Sequence, residues 1–97
     1  MKVEITARAA ADLEEIADWI SEDNPERADS FVAELIEKGM SLSHNAQRFP
    51  KVGRWRVGIV RKLSWRGYVV LYCIRTERVD VVRIVQASNW AKLLSDG

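Results

Sequence analysis

The chain has 97 residues, 47% of them hydrophobic and 30% charged, with a net charge of +1. That length holds one small folded domain, 1–97, and the composition is that of a globular rather than a disordered chain. No apolar run reaches the roughly 18 residues of a membrane span, Met1 to Thr6 lacks the apolar core of a signal peptide, and the single Cys73 gives neither an internal disulfide nor zinc-site spacing.

Lys2 to Thr6 alternates, with Val3 and Ile5 apolar, and predicts a short first strand. Thr6 is then a suitable N-cap for a helix from Ala7 to about Ser21. Leu13, Ile16, Ala17 and Ile20 form its apolar stripe. Asp12, Glu14, Glu15 and Asp18 are expected mainly off that stripe, and Trp19 flanks it. Asp23-Asn24-Pro25 ends this helix and starts the next. Asn24 caps, Pro25 suits the first helical position, and Glu26 favours the positive end of the helix dipole. Ala28, Phe31, Val32, Leu35 and Ile36 mark its buried face, and Met40 and Leu42 extend the apolar surface beyond Gly39.

Pro50 to Gly53 is the strongest turn signal, and after it the period changes to that of strands. Arg56 to Ser64 carries Val57, Ile59, Val60 and Leu63 and predicts a strand. Trp65-Arg66-Gly67 is a turn. Tyr68 to Ile74 is a nearly continuous apolar run, as in a central strand buried on both faces. Arg75 to Arg78 turns again, Val79 to Val85 is the last strand, and Gln86 to Asp96 is a tail with a helical turn at Trp90 to Leu94. The order β-α-α-β-β-β predicts an α+β fold, with an N-terminal strand and a helical hairpin packed on a small antiparallel sheet. Its other sheet face, or its edges, are expected to be polar or covered by a partner.

The small net charge conceals a separation. Residues 1–46 carry four bases against eleven acids, and residues 47–97 carry eleven bases against three acids. Ten of the fifteen bases are Arg, and three of the four Trp, at 55, 65 and 90, lie in the basic half. Arg suits planar contact with carboxylates or phosphates, and both side chains are enriched at binding hot spots. Charges of opposite sign also neutralise each other across a fold, so a solvated face is the plainer alternative.

Motifs for chemistry are few. His44 is the only His, too little for a serine triad, a cysteine–histidine pair or a histidine metal site. No Walker loop or dinucleotide fingerprint is present. Cys73 falls in the central strand as a core filler. No catalytic set, metal or cofactor is expected. Arg and aromatic side chains remain, and they serve either metal-free RNA cleavage or binding without chemistry.

The ordered set Asp12-Leu13-Glu14-Glu15-Ile16, Trp19-Ile20, Asn24-Pro25, Ala28 and Phe31 resembles the first half of RelE/ParE toxins. Phe49-Pro50, Gly53-Arg54, Val60-Arg61-Lys62-Leu63, Tyr68, Tyr72 and a last strand ending at Val85 continue the resemblance over nearly the whole chain. It implies the toxin of a bacterial type II toxin–antitoxin pair, held inactive by a cognate, ParD-like antitoxin that wraps it, and cytoplasmic in location. The Asn-Pro junction, the Val-Arg-Lys-Leu run and Tyr-x-x-x-Tyr look more like ParE, whose members bind DNA gyrase without a catalytic set. RelE-type members cut mRNA on the ribosome. Where they place an Arg after the Tyr of the third strand, this chain has Val69, and Gln86 and Ala87 stand where a basic or aromatic pair follows the last strand. ParE members often carry His and Arg there, and Gln86 and Asn89 depart from that too. The expectation is therefore gyrase inhibition by binding, with a RelE-like ribonuclease and a non-toxic antitoxin-binding module as alternatives. Arg61, Lys62, Arg83 and Trp90 are the expected target-facing residues. The plainer roles are pairing with helix acids for Arg61 and Arg83, a hydrophobic plug for Trp90, and core packing for Tyr68 and Tyr72.

Overall fold

A computed structural model describes residues 1–56 and 58–96, with Ser95 and Asp96 described by backbone only. The chain runs β1 (Lys2–Ile5), α1 (Ala7–Ser21), α2 (Pro25–Met40), two 3₁₀ turns (Ser41–Ser43 and Ala46–Arg48), β2 (Lys51–Trp55), β3 (Gly58–Trp65), β4 (Tyr68–Ile74), β5 (Arg78–Gln86) and α3 (Trp90–Asp96). Both helix starts follow from capping. The Thr6 hydroxyl accepts from the Ala9 N–H and the Asn24 side chain from the Arg27 N–H, satisfying donors that have no partner inside the helix. Pro25 occupies the first turn of α2, where its missing N–H has no consequence.

The five strands form one sheet in the order β1-β5-β4-β3-β2. β2 to β5 pair antiparallel as a meander, and β1 lies parallel to β5, with Val3 opposite Val79 and Ile5 opposite Val81. The architecture is the α+β one expected, with one strand more. Lys51 to Gly53, expected within a turn, opens β2 instead. Pro50 stands just before this edge strand, and a bulge between Lys51 and Gly53 interrupts its register. Edge strands tolerate both features because only one side of their backbone is paired. Val57 lies outside the described residues. The hairpin between β3 and β4 turns through Arg66 (φ 45°) and Gly67 (φ 84°), two positive values that match the twist of its strands.

The helical hairpin covers one sheet face. Leu13 and Ile16 of α1 and Phe31 and Leu35 of α2 pack with Val70, Tyr72, Val79, Val81 and Ile84. Phe31 makes edge and tilted contacts with Tyr68 and Trp65, with both ring centroids 5.3 Å away. Ile36 and Met40, expected on the buried face of α2, are exposed, because that helix sinks along Ala28, Phe31, Leu35 and Gly39. β4 is central and buried on both faces, as its apolar run predicts. The opposite sheet face is covered by the chain itself. Trp90, Leu93 and Leu94 of α3 lie over Val60, Val69, Leu71, Cys73 and Val82. Among the described residues, no helix is long and apolar enough to cross a membrane.

Candidate target-binding site

Asp12 was expected on the wet side of α1, yet it is only 3% exposed and sits in the buried row with Ala9, Leu13 and Ile16. Its carboxylate accepts from Arg83 Nε at 2.8 Å and Nη2 at 3.1 Å, and from the Ile84 N–H at 2.9 Å. Arg8, one turn back on α1, adds a longer contact of 3.6 Å. The spacing carried the signal: residues 9, 12, 13 and 16 are the i, i+3, i+4, i+7 positions of one helix face.

β5 is bulged beside Arg83. Leu71 faces Arg83 but Tyr72 faces Val81, so Val82 is an extra residue. Val82 therefore packs beneath α3, and Ile84 packs beneath the hairpin. In a regular strand these two positions would share a face, and a bulge re-aims the side chains around it. The Arg83 side chain is 13% exposed. Both contacts of its planar fork go to one carboxylate, the plainer of the two roles open to it in the sequence.

The other three expected residues stand elsewhere. Arg61 and Lys62 are neighbours on β3 and so point to opposite faces. Arg61 donates from Nη1 to the carbonyls of Gln47 at 2.9 Å and Phe49 at 2.7 Å, tying the second 3₁₀ turn to the sheet. Beside it the buried Tyr72 hydroxyl donates to the Ala46 carbonyl. Burial pushes the Tyr72 phenol up, against the opposing pull of Arg61 and Arg48. Lys62 lies on the far face with its ammonium 4.5 Å from the centre of the Trp90 ring. Trp90 is half-buried and combines two roles, covering the sheet and carrying a cation on its outer ring. The structure thus joins Lys62 with Trp90 and places Arg61 and Arg83 apart from them and from each other.

Sequence reasoning did not find the groove of about 390 Å³ at the open end of β5. α1 supplies Ile16 and Trp19, β4 supplies Tyr68, β5 supplies Arg83 and Gln86, and α3 supplies Leu93. Trp19 stands at its rim with 63% of its surface exposed, a large apolar side chain with no internal use for most of that area. A shallow groove with an aromatic lip and polar walls suits recognition of a protein surface. At the opposite end of the strands, Asp80 accepts from Arg78 Nε at 2.8 Å and Arg75 Nε at 3.1 Å. The Arg78 hydrogen bond, with Arg75 beside it, holds the Asp80 carboxyl below its ordinary value despite its burial. Burial raises the Cys73 thiol, which suits a core filler rather than a nucleophile. Among the described residues, no group of three His, Cys, Asp or Glu is placed to hold a metal ion.

The family model for the ParE toxin of type II toxin–antitoxin systems, parDE, matches residues 3–89. A solved chain from the chromosomal ParDE toxin–antitoxin system of P. aeruginosa is similar at a TM-score of 0.73 and 27% identity, covering 89% of this chain and 95% of that one. No curated protein gives a significant match. The family-model match over residues 3–89, with the similar solved chain beside it, shows that the chain belongs to the ParE toxin family of type II toxin–antitoxin systems.

Proposed function

We propose that this toxin inhibits DNA gyrase by binding it, acts in the cytoplasm, and is neutralised by a cognate ParD-like antitoxin. Membership of the ParE family supports the class of target, and likeness to a chain of a ParDE system supports the antitoxin. The observation that carries binding over RNA cleavage is the fate of the three cations a ribonuclease would need at one phosphate. Arg83 is locked onto Asp12, Arg61 is spent on two backbone carbonyls, and Lys62 lies on the opposite sheet face against Trp90. Stabilising a transferring phosphoryl group requires cations converging on it.

Within the expected set of Arg61, Lys62, Arg83 and Trp90, Lys62 and Trp90 form the target-facing pair. Arg61 and Arg83 position the surfaces around them. The test is a supercoiling assay with purified gyrase. Expected are inhibition with accumulation of cleaved DNA, reversal by the antitoxin, and at least a tenfold loss of potency in Trp90→Ala. Absence of inhibition at high toxin concentration overturns the gyrase target. Cleavage of mRNA in a translating extract would put the ribosome in its place.

A further inference from the structure

No Asp or Glu occurs between Glu37 and Glu77, a stretch that includes β2, β3 and β4 and nine Lys and Arg. The fold gathers much of that charge at one sheet edge. Arg48 ends the second 3₁₀ turn, Lys51 and Arg54 lie on β2, and Arg56 follows it. All four are exposed, and none takes part in an ion pair among the described residues. The Lys51 and Arg54 side chains also make no hydrogen bond or ring contact there. The registers Lys51 to Arg61 and Arg54 to Ile59 set these side chains on one face, around an Ile59 that is 45% exposed. By contrast Arg8, Arg27, Arg75, Arg78 and Arg83 all have carboxylate partners.

We infer that this edge binds the phosphate backbone of double-stranded nucleic acid. Uncompensated cations this close repel one another and destabilise the fold in the absence of an anion. Single-stranded nucleic acid is the poorer fit, because it needs open aromatic platforms. Here the rings of Phe49 and Trp55 already carry Arg48 and Arg56, at 4.7 and 5.2 Å. An acidic peptide added as a sixth strand is also disfavoured, since Pro50 and the Lys51–Gly53 bulge break the hydrogen-bonding edge of β2. Phosphates need only cations at a surface. The inference does not rest on gyrase as the target, and its test contains no gyrase.

The probe is a fluorescent 20-base-pair duplex of arbitrary sequence, titrated with the full chain between 50 and 200 mM salt. Four phosphate contacts give a log–log salt slope of about −3.6, and so a loss of roughly 150-fold over that range. Arg54→Glu should weaken binding about tenfold at 50 mM and reduce the slope by about 1. Lys2→Glu makes the same charge change at the opposite sheet edge and should stay within about twofold of wild type. Circular dichroism on both variants checks that the fold is kept, as expected for an Arg54 side chain with no partner among the described residues. Three results overturn the inference: no binding at 50 mM salt, equal loss in Arg54→Glu and Lys2→Glu, or tighter binding of poly-glutamate or single-stranded DNA than of the duplex.

Discussion

Asp12→Ala is the most direct test of the contact between α1 and β5. The substitution removes three accepted hydrogen bonds and leaves two orphans, the Arg83 guanidinium at 13% exposure and the Ile84 N–H. Breaking a buried ion pair by removing one partner costs about 3–5 kcal/mol, because the remaining charge is uncompensated. Arg8 offers no replacement, being a cation itself and half exposed. In a chain of this size each kcal/mol moves the midpoint by about 4–8 °C, so Asp12→Ala should lower Tm by about 15 °C or more. Asp12→Asn keeps an acceptor oxygen but not the charge, and should fall between. The pair is isolated by a cycle: Asp12→Ala, Arg83→Ala and the double variant, unfolded in urea and followed by circular dichroism. Because Arg83→Ala removes the orphaned charge, the double variant should be less destabilised than the sum of the singles, by about 2–3 kcal/mol. A coupling below about 0.5 kcal/mol would refute the reasoning, and would return Arg83 to the side chains free to meet a target.

Leu35 is fully buried between α2 and the sheet, so Leu35→Asp places an unpaired carboxylate in the core and should abolish the cooperative melt; a melt near that of wild type would overturn the helix-face assignment. Trp90→Ala uncovers the sheet face beneath α3 and removes the ring beneath Lys62, at a cost of about 2 kcal/mol in urea unfolding. The third concerns acid. The Asp80 carboxyl is depressed in the folded state, so its stabilisation is present above its unfolded value near 4 and is lost as pH falls through the lower folded value. Asp80→Asn should therefore lower Tm at pH 7, and the gap to wild type should close as pH falls below about 4. A gap that is independent of pH would remove Asp80 as the source of acid sensitivity.

Where the apolar pattern is regular, the chain could be read directly. Thr6 and Asn24 cap as their residue types predict, and the Tyr68–Ile74 run is the central strand. β2 was not legible because it is an edge strand whose side chains are mostly exposed and which includes Gly53, so it lacks the alternation by which strands are recognised. The helical turn at Trp90 to Leu94 was legible, but a seven-residue helix is too short for its period to show that it covers the far sheet face. At the site, the residue types were legible but their partners were not. Arg61 and Arg83 read either as target-facing cations or as partners of helix acids, and only the tertiary structure shows that Arg83 takes the second role, that Arg61 turns to backbone carbonyls and that Lys62 lies against Trp90.

Asp12 also answers a problem set by the short first strand. β1 pairs with β5 only as far as Ile5 and Val81, because Thr6 leaves the sheet to cap α1. The outer edge of β5 beyond Val81 would then be bare, with buried backbone groups facing a helix that has no free backbone to offer. α1 supplies substitutes as it crosses. The Thr6 N–H donates to the Val81 carbonyl at 3.1 Å, the Thr6 hydroxyl donates to the Val82 carbonyl at 3.5 Å, and Asp12 accepts from the Ile84 N–H. A carboxylate satisfies all three donors, since it offers about four acceptor sites and no donor. Asn in the same pose would keep one oxygen for the Ile84 N–H and Arg83 Nε but would turn its amide N–H toward Arg83 Nη2. The requirement for Asp at position 12 is therefore one of the β5 edge as much as of Arg83, and Arg83→Ala alone should leave the Ile84 contact in place.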